Sequence, residues 1–130
     1  MNEAKKAALA AIDEKKDLIA HVADEVWDYA ELSMQEVKSA ALFVKVLKEE
    51  GFQVEEGICN IPTAFSASYG SGKPVIGFLA EYDALSGLSQ AAGSTEYHEL
   101  VKGGSGHGCG HNLLGAGAMA AAIGMKHYLE

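Results

Sequence analysis

Apolar side chains recur at helical spacing through the first part of the chain. Ala8, Ile12, Ile19, Val22, Val26 and Ala30 share a stripe, and Asp13, Lys16, Asp24 and Asp28 fill the opposite face. This period predicts one long amphipathic helix over residues 4–30, broken near Glu31-Leu32-Ser33. Ser33-Met34-Gln35-Glu36 then reads as a capping box, in which the Ser33 hydroxyl and the Glu36 carboxylate exchange hydrogen bonds with each other's backbone amides. Val37, Ala40, Ala41, Val44 and Leu47 continue an apolar face, and Gly51 is a natural stop. A second helix is predicted over residues 34–50.

Beyond Gly51 the period shortens to two. Phe52-Gln53-Val54-Glu55 and Ala64-Phe65-Ser66-Ala67-Ser68-Tyr69 alternate like half-buried strands, with Pro62 between them. Val75-Ile76-Gly77-Phe78-Leu79-Ala80 lacks polar alternation, the pattern of a strand buried on both faces. Residues 65–79 are therefore expected to form a hairpin, with this third strand in the middle of a sheet. A Gly-rich irregular segment, about 84–110, follows. A last helix is predicted from about Leu113 to Tyr128, with Gly115-Ala116-Gly117-Ala118 small enough for close packing. The order helix, helix, three strands, loop, helix predicts an α/β fold, and no internal repeat is visible.

Composition narrows the function classes. The chain has 130 residues, enough for one domain with its own core. A 48% apolar and 22% charged make-up is that of a globular protein. A net charge of -8 argues against binding a nucleic-acid backbone, which needs clustered Lys and Arg. No apolar run approaches the roughly 20 residues that cross a bilayer, and the charged start is no signal core. No membrane is expected, and the cytoplasm is the default location. The two cysteines, Cys59 and Cys109, are too few for a disulfide framework and suit a reducing compartment as thiols.

Two features carry chemistry. Glu81-Tyr82-Asp83 ends the apolar run, and His107-Gly108-Cys109-Gly110-His111 runs into the last helix. In α/β folds, sites gather beyond the carboxyl ends of strands. A thiolate and an imidazole are good ligands for zinc and similar ions. The glycines between them remove bulk and permit unusual backbone angles, so Cys109 and His111 can turn to one point. Asp83 can orient a ligating imidazole, coordinate directly, or merely cap a strand end. Cys109 can equally be an inert small residue of a tight turn, and His107 reads better as a hydrogen-bonded loop residue than as a ligand. Cys59 is expected to pack beside Ile58 and Ile61, and Trp27 and Tyr29 to anchor the core. A phosphate loop is not spelled out: Lys102-Gly103-Gly104-Ser105 has its residues in the wrong order.

Gly106-His107-Gly108-Cys109-Gly110-His111-Asn112 resembles the His-x-Cys-Gly-His-Asp/Asn signature of the aminoacylase and carboxypeptidase-G-like metallopeptidases. Within them it is most similar to the amidohydrolase branch. Glu81-Tyr82-Asp83-Ala84-Leu85 resembles that branch's Asp-Ala-Leu-Pro segment, with Ser86 where Pro is usual. The resemblance spans almost the whole chain. It implies a two-domain enzyme that cleaves the amide bond of N-acyl amino acids with a pair of divalent ions, zinc or manganese. It makes Cys109 and His111 metal ligands and places Asp83 as a catalytic residue beside the metal centre. Glu81 stands where more distant relatives carry a ligating His. The general-base Glu of the family, next to a ligating Glu, has no counterpart after Cys109, and the family's dimerisation domain is absent. Residues 1–130 are thus expected to be a single partial catalytic domain, inactive alone, that self-associates or meets a second subunit. A non-catalytic module that binds a partner through an exposed sheet edge is the alternative.

Overall fold

The computed structural model describes residues 2–130. Four helices and one two-stranded sheet make a mixed α/β fold, as the sequence pattern predicts in class. The helices are α1 (Glu3–Glu14), α2 (Lys16–Tyr29), α3 (Val37–Glu49) and α4 (His111–Leu129), and the strands are β1 (Gln53–Glu56) and β2 (Phe65–Ser68).

The expected long first helix is two. Lys15 sits at φ -94° and ψ 6°, between α1 and α2, while its ammonium pairs with Glu50 beyond the end of α3. The bend lets α1 lie along α4 while α2 packs on both α3 and α4. Val22, Ala23 and Val26 of α2, Phe43, Val46 and Leu47 of α3, Phe52, and Ala116, Met119 and Ile123 of α4 form the core. Val22, Val26 and Ile123 have no exposed surface. Helix α4 is apolar nearly all round, as a helix with neighbours on several sides must be. Its glycines allow close approach: a Cβ on Gly124 would stand 2.6 Å from Ile12 Cδ1 of α1.

The start of α3 differs from the capping-box expectation. Glu31, not Ser33, caps it, accepting from the Lys38 and Ser39 amides at 3.0 and 2.9 Å and from the Ser39 hydroxyl at 2.9 Å. A carboxylate at a helix N-terminus also meets the positive end of the helix dipole. Gly51, at φ 89°, does close α3, and the Phe52 amide reaches back to Leu47 O.

Strands β1 and β2 pair antiparallel, with Val54 opposite Ala67 and Glu56 opposite Phe65. The hairpin therefore joins β1 to β2, rather than residues 65–79 to one another. Residues 74–80 are not a strand among the described residues. They run without regular structure, and Val75, Ile76, Phe78 and Leu79 are exposed, Leu79 at 96%. A run with no polar alternation needs strand neighbours and cover on both faces, and the β1–β2 pair supplies neither.

The Gly-rich segment is tied back on itself. Leu85 and Gly106 exchange both backbone hydrogen bonds at 3.0 Å, and Ser89 N donates to Gly104 O. At Gly106 the chains meet so closely that a Cβ would stand 2.0 Å from Leu88 O. Cys59, expected beside Ile58 and Ile61, is exposed in a left-handed conformation (φ 56°) within the short 3-10 turn Ile58–Asn60.

Candidate metal centre

Tyr82 seats the acidic segment. Its ring packs on Phe43 and Phe65, with centroids 5.2 and 6.0 Å away, and its hydroxyl donates to Thr63 O. Burial, with the charges of Glu36 and Glu31, pushes its phenol up to about 12. Tyr82 thus anchors inward and leaves its neighbours, Glu81 and Asp83, on either side of one ring, that of His111.

His111 opens α4. Its Nδ1 lies 2.9 Å from Asp83 Oδ1 and 3.0 Å from Asp83 O. Both are acceptors when the carboxylate is ionised, so Nδ1 carries the hydrogen, and in the neutral ring Nε2 then presents a lone pair. Nε2 faces Glu81 Oε1 at 3.4 Å. The His111 and Asp83 side chains are mostly buried, at 15% and 19% exposure, while Glu81 is open to solvent at 63%.

These donors fit a divalent ion in kind. A carboxylate on one imidazole nitrogen is the usual support for a histidine that ligates through the other. Two ligand atoms on a tetrahedral zinc stand about 3.3 Å apart, and the His111 Nε2–Glu81 Oε1 spacing is 3.4 Å. The donors fall short in number. Among the described residues, no three His, Cys, Asp or Glu side chains converge to hold a metal ion. Cys109 lies two residues before His111, exposed as a free thiol, and does not complete such a group. The structure brings together His111, Asp83 and Glu81. The sequence leaves the role of Glu81 open, marking it by its place two residues before Asp83 and by its match to the position of a ligating His in more distant relatives.

His107 is buried at 4% exposure. Its Nε2 lies 3.0 Å from Val26 O, and its ring stands 6.3 Å from that of Trp27. Burial pushes its pKa below the usual histidine value, against the opposing pull of the Val26 carbonyl. Trp27 is half-buried and lines a surface cleft with Asp24, Asp28 and Asn112, so it is not a core anchor.

No family model matches the chain. Individual relatives do. It is 48% identical over 120 residues, 92% of its length, to a p-aminobenzoyl-glutamate hydrolase subunit of Escherichia coli (strain K12). It is 31% identical over 78% of its length to thermostable carboxypeptidase 1 of Saccharolobus solfataricus, and 27% identical over 97% to mouse Xaa-Arg dipeptidase. The chain is thus similar to these hydrolases over most of its own length. It spans about a quarter of the length of these relatives, 25%, 25% and 28% respectively. Among the described residues, no helix is long and apolar enough to cross a membrane.

Proposed function

We propose that these residues form the N-terminal part of the metal centre of an amidohydrolase that cleaves N-acyl amino acids such as p-aminobenzoyl-glutamate. One observation carries the reading: His111 is held by Asp83 through Nδ1 and offers Nε2 toward Glu81. In this reading His111 and Cys109 are ligands, Asp83 fixes the tautomer and orientation of His111, and Glu81 is a further oxygen donor. Bound there, a divalent ion such as zinc or manganese would supply Lewis-acid polarisation of the amide carbonyl and acidification of water. The chain's own contribution is an imidazole held by Asp83 at the start of α4. The substrate class rests on the name of the E. coli relative. The exposed thiols of Cys59 and Cys109 favour a reducing compartment, the cytoplasm.

With fewer than three convergent donors, residues 1–130 alone are expected to bind an ion weakly and to hydrolyse nothing. Cobalt(II) titration of the purified chain tests the site, through the thiolate-to-cobalt absorption band. The band should appear in the wild type and vanish in Cys109→Ala and His111→Ala. Binding that survives both substitutions would remove the site, and p-aminobenzoyl-glutamate hydrolysis by this chain would remove the proposed inactivity.

A second polypeptide is part of the reading. Val75, Ile76, Phe78 and Leu79 form an exposed apolar run leading directly into Glu81, and such runs pair with other chains. The E. coli relative is itself named as one subunit of its enzyme, which supports this. In isolation a second copy of the chain takes that place. Sedimentation should show association that rises with concentration and is lost in Phe78→Lys; a monomer at every concentration would end this reading.

A further inference from the structure

Three side chains of the segment before and into α4 hydrogen-bond to backbone carbonyls of α2. The Ser105 hydroxyl donates to Ala30 O. His107 Nε2 lies 3.0 Å from Val26 O, and Asn112 Nδ2 donates to Ala23 O at 3.1 Å. Ala23 and Val26 lie on one face of α2, three residues apart, and Ala30 is the left-handed C-cap that ends the helix at φ 44°. The three contacts therefore form a ladder about 10 Å long, two rungs on α2 and one on its C-cap, and the segment runs antiparallel to α2. Cys109 and His111 lie between the second rung and the third.

The rungs are protected. His107 is 4% exposed and Asn112 5%. The Val26 carbonyl can only accept, so His107 Nε2 carries the hydrogen. The other nitrogen, Nδ1, is buried with no partner, as is Asn112 Oδ1. His107 thus turns both nitrogens into the protein and away from the exposed Cys109 thiol. The turn between the rungs contains Gly108 and Gly110, the latter at φ 81°, and has little intrinsic stiffness. Beyond the Gly110 N to His107 O hydrogen bond at 3.0 Å and the Asp83 contact on His111, its position depends on what holds its two ends.

We propose that His107 and Asn112, with Ser105, are positioning residues that register the Cys109–His111 turn on one face of α2. For its functional consequence, though not for its geometry, this rests on the metal-centre reading above. Partners that orient ligands typically change metal affinity by about 10–100-fold when removed.

Two measurements separate the readings. The first is backbone NMR relaxation of the Gly108–His111 amides in metal-free protein. His107→Ala should loosen these amides, and His107→Gln, whose side-chain amide reaches about as far as Nε2, should restore them. The second is cobalt(II) affinity, which should fall at least tenfold in His107→Ala and Asn112→Leu and return to within about threefold of wild type in His107→Gln. Ile123→Val, a core change of ordinary destabilisation, should lower Tm yet move neither readout. If His107→Ala does not fold, Ser105→Ala and Asn112→Leu carry the same measurements. Unchanged order of the turn in folded variants, or a His107→Gln no better than His107→Ala, overturns the proposal. A wild-type chain that binds no cobalt while the turn loosens as described removes the metal reading and leaves the ladder standing.

Discussion

Two glycines two residues apart in α4 should respond to the same substitution with opposite signs. Gly115 is buried where α4 crosses the aromatic cluster: a Cβ there would stand 2.7 Å from Phe43 Cζ, 3.3 Å from Phe43 Cε2 and 3.3 Å from Tyr82 Cβ. Gly117 is exposed, and nothing lies within 4 Å of its added Cβ. Alanine improves helix propensity by roughly 0.8–1 kcal/mol at either site. At Gly117 nothing opposes that gain, so Gly117→Ala should stabilise by about 0.5–1 kcal/mol. At Gly115 the methyl meets Phe43, a side chain only 2% exposed and packed against both Phe65 and Tyr82. The ring has no room to swing away, and overpacking of this kind costs about 1–3 kcal/mol. The net for Gly115→Ala is a loss of roughly 0–2 kcal/mol, so the two variants should differ by about 1–3 kcal/mol. Urea denaturation resolves such a difference in midpoint, provided the slope is unchanged. A second readout links the cluster to the site: Tyr82 directly precedes Asp83, so Gly115→Ala should shift the His111 ring resonances and Gly117→Ala should not. Equal stabilisation by both substitutions would refute the close packing of α4 on Phe43 and Tyr82.

Tyr82 should titrate last among the tyrosines. Its folded pKa of about 12 lies above the unfolded value of 10.0, so the neutral phenol stabilises the fold fully below about pH 10. That stabilisation is lost as pH rises from 10 toward 12, and on the order of 1–2 kcal/mol is at stake for a group only partly buried. Alkaline denaturation of Tyr82→Phe against wild type checks this, and an identical loss in both over that window would contradict it. Glu31→Ala should cost about 1–2 kcal/mol, because it uncaps the Lys38 and Ser39 amides, whereas Ser33→Ala should be close to neutral. A larger Tm loss in Ser33→Ala than in Glu31→Ala would restore the capping box.

The parts legible in the sequence are those decided by short-range pattern. Ala40, Val44 and Leu47 of the predicted stripe are buried, and with Gly51 they mark α3 because period and stop lie within a few residues; Val37 and Ala41 of that stripe are exposed, and the helix starts at Val37 rather than Met34. The turn at Cys109 precedes a helix because its glycines are followed by an unbroken apolar helical run. The bend at Lys15 is invisible, since the apolar stripe from Ile12 to Ile19 continues through it and the ammonium's partner, Glu50, is 35 residues away. Ser33 hides Glu31, because it offers the commoner capping arrangement in a position the backbone does not use. Ser105 carries no signal, since a hydroxyl between glycines looks like any loop, and Asn112 is marked only as the last residue of the signature; the packing contact each makes with the α2 carbonyls is invisible in both.

The apolar run at residues 75–80 shows the same limit from the other side. Its pattern is that of a strand covered on both faces, and it stands exposed because a sequence states what a segment needs without stating what meets the need. Glu81 and Asp83 sit at the end of that run, and their rigidity relative to His111 depends on how firmly it is held. Tyr82 holds one end through Phe43, Phe65 and Thr63 O. The run itself is uncovered, from Val75 at the opposite end, with 83% of its surface open, to Leu79, with 96%. A second polypeptide that paired with residues 75–79 would therefore cover apolar surface and stiffen the carboxylates in one step. Assembly should then raise cobalt affinity even without adding a ligand, and Phe78→Lys should abolish that gain while leaving the monomer's own affinity unchanged. Cobalt affinity independent of protein concentration across the association range would separate the two and sink the connection.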